Sequence, residues 1–247
     1  MNGIQYEKWS RHYDPEYKEL QILEKHDVKF DGKKILEIGC GTGRFTARML
    51  PKCEEITCIE PDDDALTVLK TNIVDPRLAT YCGTFDTVPI PKGYFDYVVF
   101  SWSMYLIHEK TENIKLAYEC LRPGGKLIIL QANSGEYEEE IAQLYSKYNP
   151  LLEYESAYDN LPNLVKNIFG NVTCDTLETF FSFDSIEQVI STSLFFIEDE
   201  EGVQPSECAI EELHKRLFSY VAENGKVVMS DIVSVFISRK EDDSGNW

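Results

Sequence analysis

Ile35-Leu-Glu-Ile-Gly-Cys-Gly-Thr-Gly43 is the stretch on which the reading of the fold turns. Aliphatic residues and one acid run into glycines at alternate positions, Gly39, Gly41 and Gly43. Aliphatic residues of this kind form a strand, and the glycines after it let the chain bend sharply and bring bare backbone against a ligand. The spacing narrows the ligand. A dinucleotide fingerprint, G-x-G-x-x-G, needs its third glycine at position 44, where this chain has Arg44.

Composition sets outer bounds. The 247 residues suffice for one α/β domain with a modest insertion. The 24 basic and 43 acidic side chains leave a net charge of −19, which repels phosphate backbones, and no Lys/Arg run offsets it; a nucleic-acid partner is therefore not expected. The seven cysteines include no C-x-x-C pair and read as reduced, mostly buried thiols. The N-terminus lacks an apolar core and no 18-residue apolar run exists, so neither signal peptide nor membrane span is expected, and a cytoplasmic location is. Residues 241–247 read as a flexible acidic tail.

Along the chain, strands and helices alternate at short intervals. Residues 5–26 look like one helix, with Trp9, Tyr13, Tyr17, Leu20 and Leu23 on a common stripe. Strands are expected at 34–38, 55–59, 79–82, 95–100 and 126–131, and helices at 42–50, 62–72 and 112–120, the last stopped by Arg122-Pro-Gly-Gly125. That alternation predicts a parallel sheet with helices on both faces. Residues 133–170 break the rhythm as an acidic, Tyr-rich insertion with helical stretches, one at 136–148. A strand at 172–183, a helix to about Phe195 opened by a capping box at Asp184-Ser-Ile-Glu187, a helix at 206–223 and a strand at 228–239 complete the chain.

With Glu60 at the end of the second strand, 17 residues after Gly43, the G-x-G-x-G loop resembles motif I of the class I S-adenosylmethionine (SAM)-dependent methyltransferases, in their type 11, small-molecule branch. The resemblance covers residues 5–131 by motif and the rest by element order. It implies a Rossmann-like fold in a single domain over 1–247, with a seven-stranded, mostly parallel sheet of order 3-2-1-4-5-7-6 and the last strand antiparallel. Residues 1–30 would form a lid helix and 133–170 an acceptor-side insertion. It implies SAM as cofactor and S-adenosylhomocysteine as product. Glu37 and the backbone of Gly39, Cys40, Gly41 and Gly43 would face the methionine end, Glu60 beside Pro61 the ribose, and Thr84 and Phe85 the adenine. Thr84 stands where the family has Asp. Tyr13 matches a lid tyrosine near the SAM carboxylate, and Ser101 opens the loop that borders the transfer site. In that loop the family's two histidines are replaced by Tyr105 and Leu106. Trp102, Tyr105 and His108 are thus the acceptor-side candidates, with His108 the least fitted to act as a base. Asp62, Asp63 and Asp64 cannot all face one ion, so no metal is expected.

Methyl transfer from a sulfonium needs alignment above all, worth roughly 7–11 kcal/mol, and a base only where the acceptor is protonated. The missing histidines therefore leave activity intact as an expectation. Glu136, Glu138, Glu139, Glu140, Glu153, Glu155 and Asp159, interleaved with Tyr137, Tyr145, Tyr148, Tyr154 and Tyr158, suit a cationic acceptor, an amine or guanidine on a small molecule or peptide. A monomer or homodimer is expected. Two rivals stay open: a SAM- or S-adenosylhomocysteine-binding protein without turnover, and a nucleic-acid methyltransferase, which the charge disfavours.

Overall fold

The computed structural model describes residues 3–137, 139–140, 160–193 and 207–241. Its strands are β1 (Lys34–Ile38), β2 (Glu55–Glu60), β3 (Leu78–Cys82), β4 (Phe95–Ser101), β5 (Leu121–Gly135), β6 (Thr173–Phe183) and β7 (Val227–Arg239). They form one sheet in the order β3-β2-β1-β4-β5-β7-β6 with the last strand antiparallel, as the resemblance implied. The pairings of β1 with β2 and β4, of β2 with β3 and of β4 with β5 are all parallel. The helices are α1 (Gly3–Ser10), α2 (Lys18–Lys25), α3 (Thr46–Met49), α4 (Asp63–Asn72), α5 (Lys110–Cys120), α6 (Leu161–Phe169), α7 (Ile186–Ser193) and α8 (Glu207–Leu217).

Two compact units divide the chain. One takes Leu23–Gln131, Ala157–Thr176 and Ser234–Trp247; the other takes Met1–Ile22, Ala132–Ser156 and Leu177–Val233. In the first, every residue of β4 is buried, as a parallel strand covered on both faces must be. Alternation along β1 sends Leu36 and Ile38 to one face and Ile35 and Glu37 to the other. Leu36 and Ile38 join a core with Val98, Phe100, Leu127 and Ile129 of the neighbouring strands. Ile114 and Ala117 of α5 and Leu161, Val165 and Phe169 of α6 close over that core. Residues 161–169, the end of the stretch read as an insertion, thus supply an apolar stripe at i, i+4, i+8 to the central core. On the other face, Thr46 of α3 meets Glu37.

The Arg122-Pro-Gly-Gly125 turn does end α5, but it lies within the span of β5 and shifts its register against β4 between Phe95 and Tyr97. Arg122 grips Asp96 through Nε at 2.7 Å, and a Cβ on Gly125 would press on the Arg122 and Asp96 carbonyls. Asp62 caps α4, its carboxylate accepting from the backbone N–H of Asp64 at 3.0 Å and Ala65 at 3.2 Å. Asp62→Ala should lower stability by about 1 kcal/mol. A denaturation midpoint that does not move would show that the cap contributes nothing to stability.

The second unit corrects the N-terminal reading. Residues 5–26 are not one helix: α1 and α2 are separated by 11–17, where Asp14 and Tyr17 take φ of 48° and 58°. Pro15 explains the break, since it cannot donate within a helix and restricts the residue before it. Tyr17, placed on the apolar stripe by periodicity, is 54% exposed. Residues 12–14 instead pair with 180–182, through Asp14 N–H to the Phe180 carbonyl at 3.1 Å and Ser182 N–H to His12 at 2.9 Å. The buried Asp14 carboxylate then caps α2, accepting from Lys18 N–H, Glu19 N–H and the Thr179 hydroxyl. The cap of α7 also falls one residue later than the spacing suggested. Ser185 Oγ accepts from Gln188 N–H, and the Gln188 side chain reaches back to Asp184 N–H at 2.6 Å. The expected helix end near Phe195, the helical stretch over 141–148 and the tail beyond 241 lie outside the described residues. Residues 218–220, read as part of the last helix, form a separate 3₁₀ turn.

Candidate active site

The carboxyl ends of β1, β2 and β4 bring most of the candidate residues together, all within the first unit. β1 stops at Ile38, and Gly39 turns the chain at φ 70°, a conformation that costs any other residue. Space is as tight as the dihedral. A Cβ on Gly39 would collide with Ser103 Cβ and lie 3.0 Å from its Oγ. Ser103 cannot easily retreat, because its hydroxyl donates to the Ile38 carbonyl at 2.5 Å. Gly43 does a different job: a Cβ there would press on Leu69 and Ile73, so the bare backbone lets α4 come close.

Glu60 ties this loop to β2. One carboxylate oxygen accepts from Gly41 N–H at 2.8 Å and the other from Asp62 N–H at 3.0 Å. Each oxygen keeps a further lone pair for a ligand hydroxyl. The Glu60 carbonyl accepts from Gly83 N–H at 3.0 Å, which brings the Thr84–Phe85 segment to the same edge. Pro61 follows directly. Burial raises the Glu60 pKa, and the two backbone donors pull against that rise. Thr84 is exposed and its hydroxyl lies 3.0 Å from that of Thr87, while Phe85 is a core aromatic packed edge-on to Phe100.

Glu37 is buried inside the packing of β1, β2 and α3. The Thr46 hydroxyl donates to it at 2.6 Å and the Cys58 thiol at 3.7 Å. Burial pushes its carboxyl up to about 7, against the pull of those two donors and of Arg44. Burial also drives the Cys58 thiol well up, so it stays protonated and able to donate. Cys40 is buried in the loop itself. Cys53, Cys58 and Cys120 are likewise buried, Cys82, Cys174 and Cys208 are exposed, and all seven thiols are free.

Ser101 ends β4, with Arg44 Nη2 at 3.5 Å from its hydroxyl. Trp102 follows with φ 58°, half-buried, its N–H on the Leu130 carbonyl at 2.8 Å. Tyr105 and Leu106 sit on a 3₁₀ turn and are 37% and 61% exposed, and His108 is exposed beyond them. Tyr13 lies in the second unit, buried against Phe181 with ring centroids 5.0 Å apart.

The acidic segment named for a cationic acceptor shows other uses where it is described. Glu136 accepts from Ser230 N–H, and Glu140 binds Arg216 at 3.1 Å and Tyr220 at 3.0 Å. Tyr137 is buried, stacked on Phe181 at 4.2 Å and bonded to Trp9 and Ser193. Glu138, Tyr145, Tyr148, Glu153, Tyr154, Glu155, Tyr158 and Asp159 lie outside the described residues. Sequence reasoning missed Thr46, Ser103 and the contact of Arg44 with Ser101. No motif marks Thr46 or Ser103, since both act through a tertiary approach to β1 or its loop. Among the described residues, no three His, Cys, Asp or Glu side chains are grouped to hold a metal, and no helix is long and apolar enough to cross a membrane.

Residues 36–129 match the family described as a methyltransferase domain. An uncharacterized methyltransferase of Staphylococcus carnosus is 27% identical over 190 residues, 68% of this chain and 89% of the relative. Among solved structures, the YcgJ protein of Bacillus subtilis superposes with a TM-score of 0.61 at 13% identity, over 90% of this chain and 98% of that one. Phosphoethanolamine N-methyltransferase 2 of Haemonchus contortus, solved with S-adenosyl-L-methionine, gives a TM-score of 0.57 at 17% identity, over 90% of this chain and 52% of that one. The strand order gives this chain the Rossmann-like fold of the class I methyltransferases, and the matched segment with its glycine loop makes it similar to the SAM-dependent methyltransferases of the type 11 branch.

Proposed function

We propose that the protein transfers the methyl group of SAM to a small-molecule or peptide acceptor, with an amine as the first acceptor class to test. The observation that carries the reading is the Gly39–Gly43 loop, closed against Ser103 and stapled by Glu60. The residues present fit SAM. The glycine backbone leaves room for its methionine end, and Glu60 has lone pairs for two ribose hydroxyls. Phe85 and Thr84 stand at the edge where adenine would lie. When bound, SAM supplies a methyl group on a sulfonium, already activated toward a nucleophile.

The chain's own part is then alignment. Gly39, Gly41 and Glu60 fix one side of the reacting line. Ser101 and Trp102, on the strained end of β4, border the other. With His108 exposed, an amine held as its cation must give its proton to a neighbouring acid or to water before its lone pair can take the methyl group. The amine preference rests on the acids and tyrosines of 141–159, because Glu136, Tyr137 and Glu140 are committed within their own unit.

Calorimetry should show SAM and S-adenosylhomocysteine binding and NAD failing to bind. Tritium from methyl-labelled SAM should then appear in an acceptor when amines, carboxylates, phenols and short peptides are screened. Binding without any loss of label from SAM, across the whole screen, would turn the protein into a cofactor-binding scaffold.

A further inference from the structure

We infer that the Gln131 carboxamide is a recognition group of the acceptor site, built to pair with a neutral, flat group that carries a hydrogen-bond donor and an acceptor side by side, such as an amide or lactam edge. This rests on the reading of the chain as a small-molecule methyltransferase. Gln131 is fully buried, yet neither its Oε1 nor its Nε2 has a hydrogen-bond partner among the described residues. A buried carboxamide with both ends idle is rare in a native interior, and the low dielectric around it makes idleness costly. A Leu or Met would fill the same place without that cost.

Its position says what the group is for. Ile38, Phe100 and Ile129 form one row across β1, β4 and β5, by the pairings Ile38 with Phe100 and Phe100 with Ile129. All three belong to the same core. Gln131 lies two residues past Ile129 on the same strand, so it faces the same side, one step (roughly 6–7 Å) above the core row. That step is at the carboxyl ends of the central strands, where an open α/β sheet receives its ligands. Two strand spacings, roughly 10 Å, separate β5 from the glycine loop after β1. A molecule on Gln131 would therefore stand across β4 from the glycine loop, on the Phe100 face of the sheet. The adenine edge, on the far side of β2, is out of its reach.

The chemistry of the partner follows from the inventory. A carboxamide offers two donors and one acceptor in a plane. An ammonium would satisfy only the oxygen and a carboxylate only the nitrogen. An amide-like edge satisfies both, and a site built for such a pair rejects analogues that lack it.

The test uses the full chain loaded with S-adenosylhomocysteine and labelled with nitrogen-15 at glutamine side chains. The Gln131 signals are assigned by their loss in Gln131→Met, with Gln131→Leu as a second variant should the first fold poorly. Benzamide, the simplest flat carrier of such an edge, should shift these signals and slow their exchange with water. Toluene and benzylamine should not. Removing the carboxamide should weaken benzamide binding about tenfold to thirtyfold, the loss of two hydrogen bonds, while S-adenosylhomocysteine affinity stays within about twofold. Three results overturn the inference: Gln131 signals indifferent to benzamide, a resident water bonded to the carboxamide in every state, or parent-like benzamide binding by both variants. Failure of methyl transfer itself would show separately, as tritium that never leaves SAM while the Gln131 signals still answer to benzamide.

Discussion

Gly39→Ala is expected to weaken binding of S-adenosylhomocysteine about a hundredfold while the domain stays folded. Two costs add. Alanine at φ 70° carries the left-handed penalty of roughly 1–2 kcal/mol. Its Cβ also runs into Ser103 Cβ, and Ser103 is held in place by its bond to the Ile38 carbonyl. Overpacking of this kind costs roughly 1–3 kcal/mol, and here the strain falls on the loop proposed to meet the ligand. The second cost can be isolated. Adding Ser103→Gly to the Gly39→Ala chain removes the collision and should return part of the affinity, leaving the dihedral penalty. Calorimetry on the two single variants and the double variant forms a mutant cycle. Binding by Gly39→Ala within about threefold of the parent would mean that the loop yields freely and is not pre-formed. An additive cycle would acquit Ser103.

Glu37→Gln is expected to stabilise the protein at pH 8 by about 3 kcal/mol and to leave it nearly unchanged near pH 4.5. The folded carboxyl titrates at about 7 against an ordinary value of 4.5, because burial disfavours its charged form. Below the ordinary value both folded and unfolded chains hold the proton, so the group contributes nothing to pH dependence. Between about 4.5 and about 7 the unfolded chain gives up the proton while the folded chain keeps it, and stability falls as pH rises. Above about 7 the full loss is present, roughly 2.5 pH units at 1.36 kcal/mol each. A Gln side chain still accepts from the Thr46 hydroxyl and never ionises. Denaturant titrations at pH 5 and pH 8 would show the parent losing stability relative to the variant. Equal stability differences at the two pH values would remove Glu37 as the source.

The readable part of the protein was the part written in short range. Ile35–Gly43 carries strand, turn and candidate ligand loop in nine consecutive residues, and Glu60 follows at a spacing that the β-α-β unit dictates. The alternation of elements then fixed the class of sheet. Long-range partners left no such trace. Thr46 meets Glu37 only because α3 folds back over β1, and Ser103 meets Gly39 only because β4 lies beside β1. Gln131 closes the strand read at 126–131, and nothing in its neighbours in sequence marks it as fully buried. The break in the N-terminal helix was legible, since Pro15 stands in the middle of the run. The aromatic stripe outweighed it, and the pairing of residues 12–14 with 180–182 uses those aromatics in another way. The cap of α7 slipped by one residue because Asp184 and Ser185 are both good caps, and only the Gln188 contacts choose between them.

The placement of the tryptophans offers a way to watch the protein at work. Of the three in the chain, Trp9 is buried in the second unit with its indole N–H on the Tyr137 hydroxyl at 2.7 Å. Trp102 is half-buried in the first unit, directly after Ser101 at the end of β4. The Trp9 indole is therefore shielded from quenchers and locked by a hydrogen bond, while that of Trp102, at the end of β4 beside the proposed transfer site, is open to them. With Trp247 replaced by Phe, emission that iodide quenches readily, and that bound S-adenosylhomocysteine protects, is expected to come from Trp102. In a Trp247→Phe background, adding Trp102→Phe leaves Trp9 as a quiet internal reference, so binding is read as light without labelling the chain.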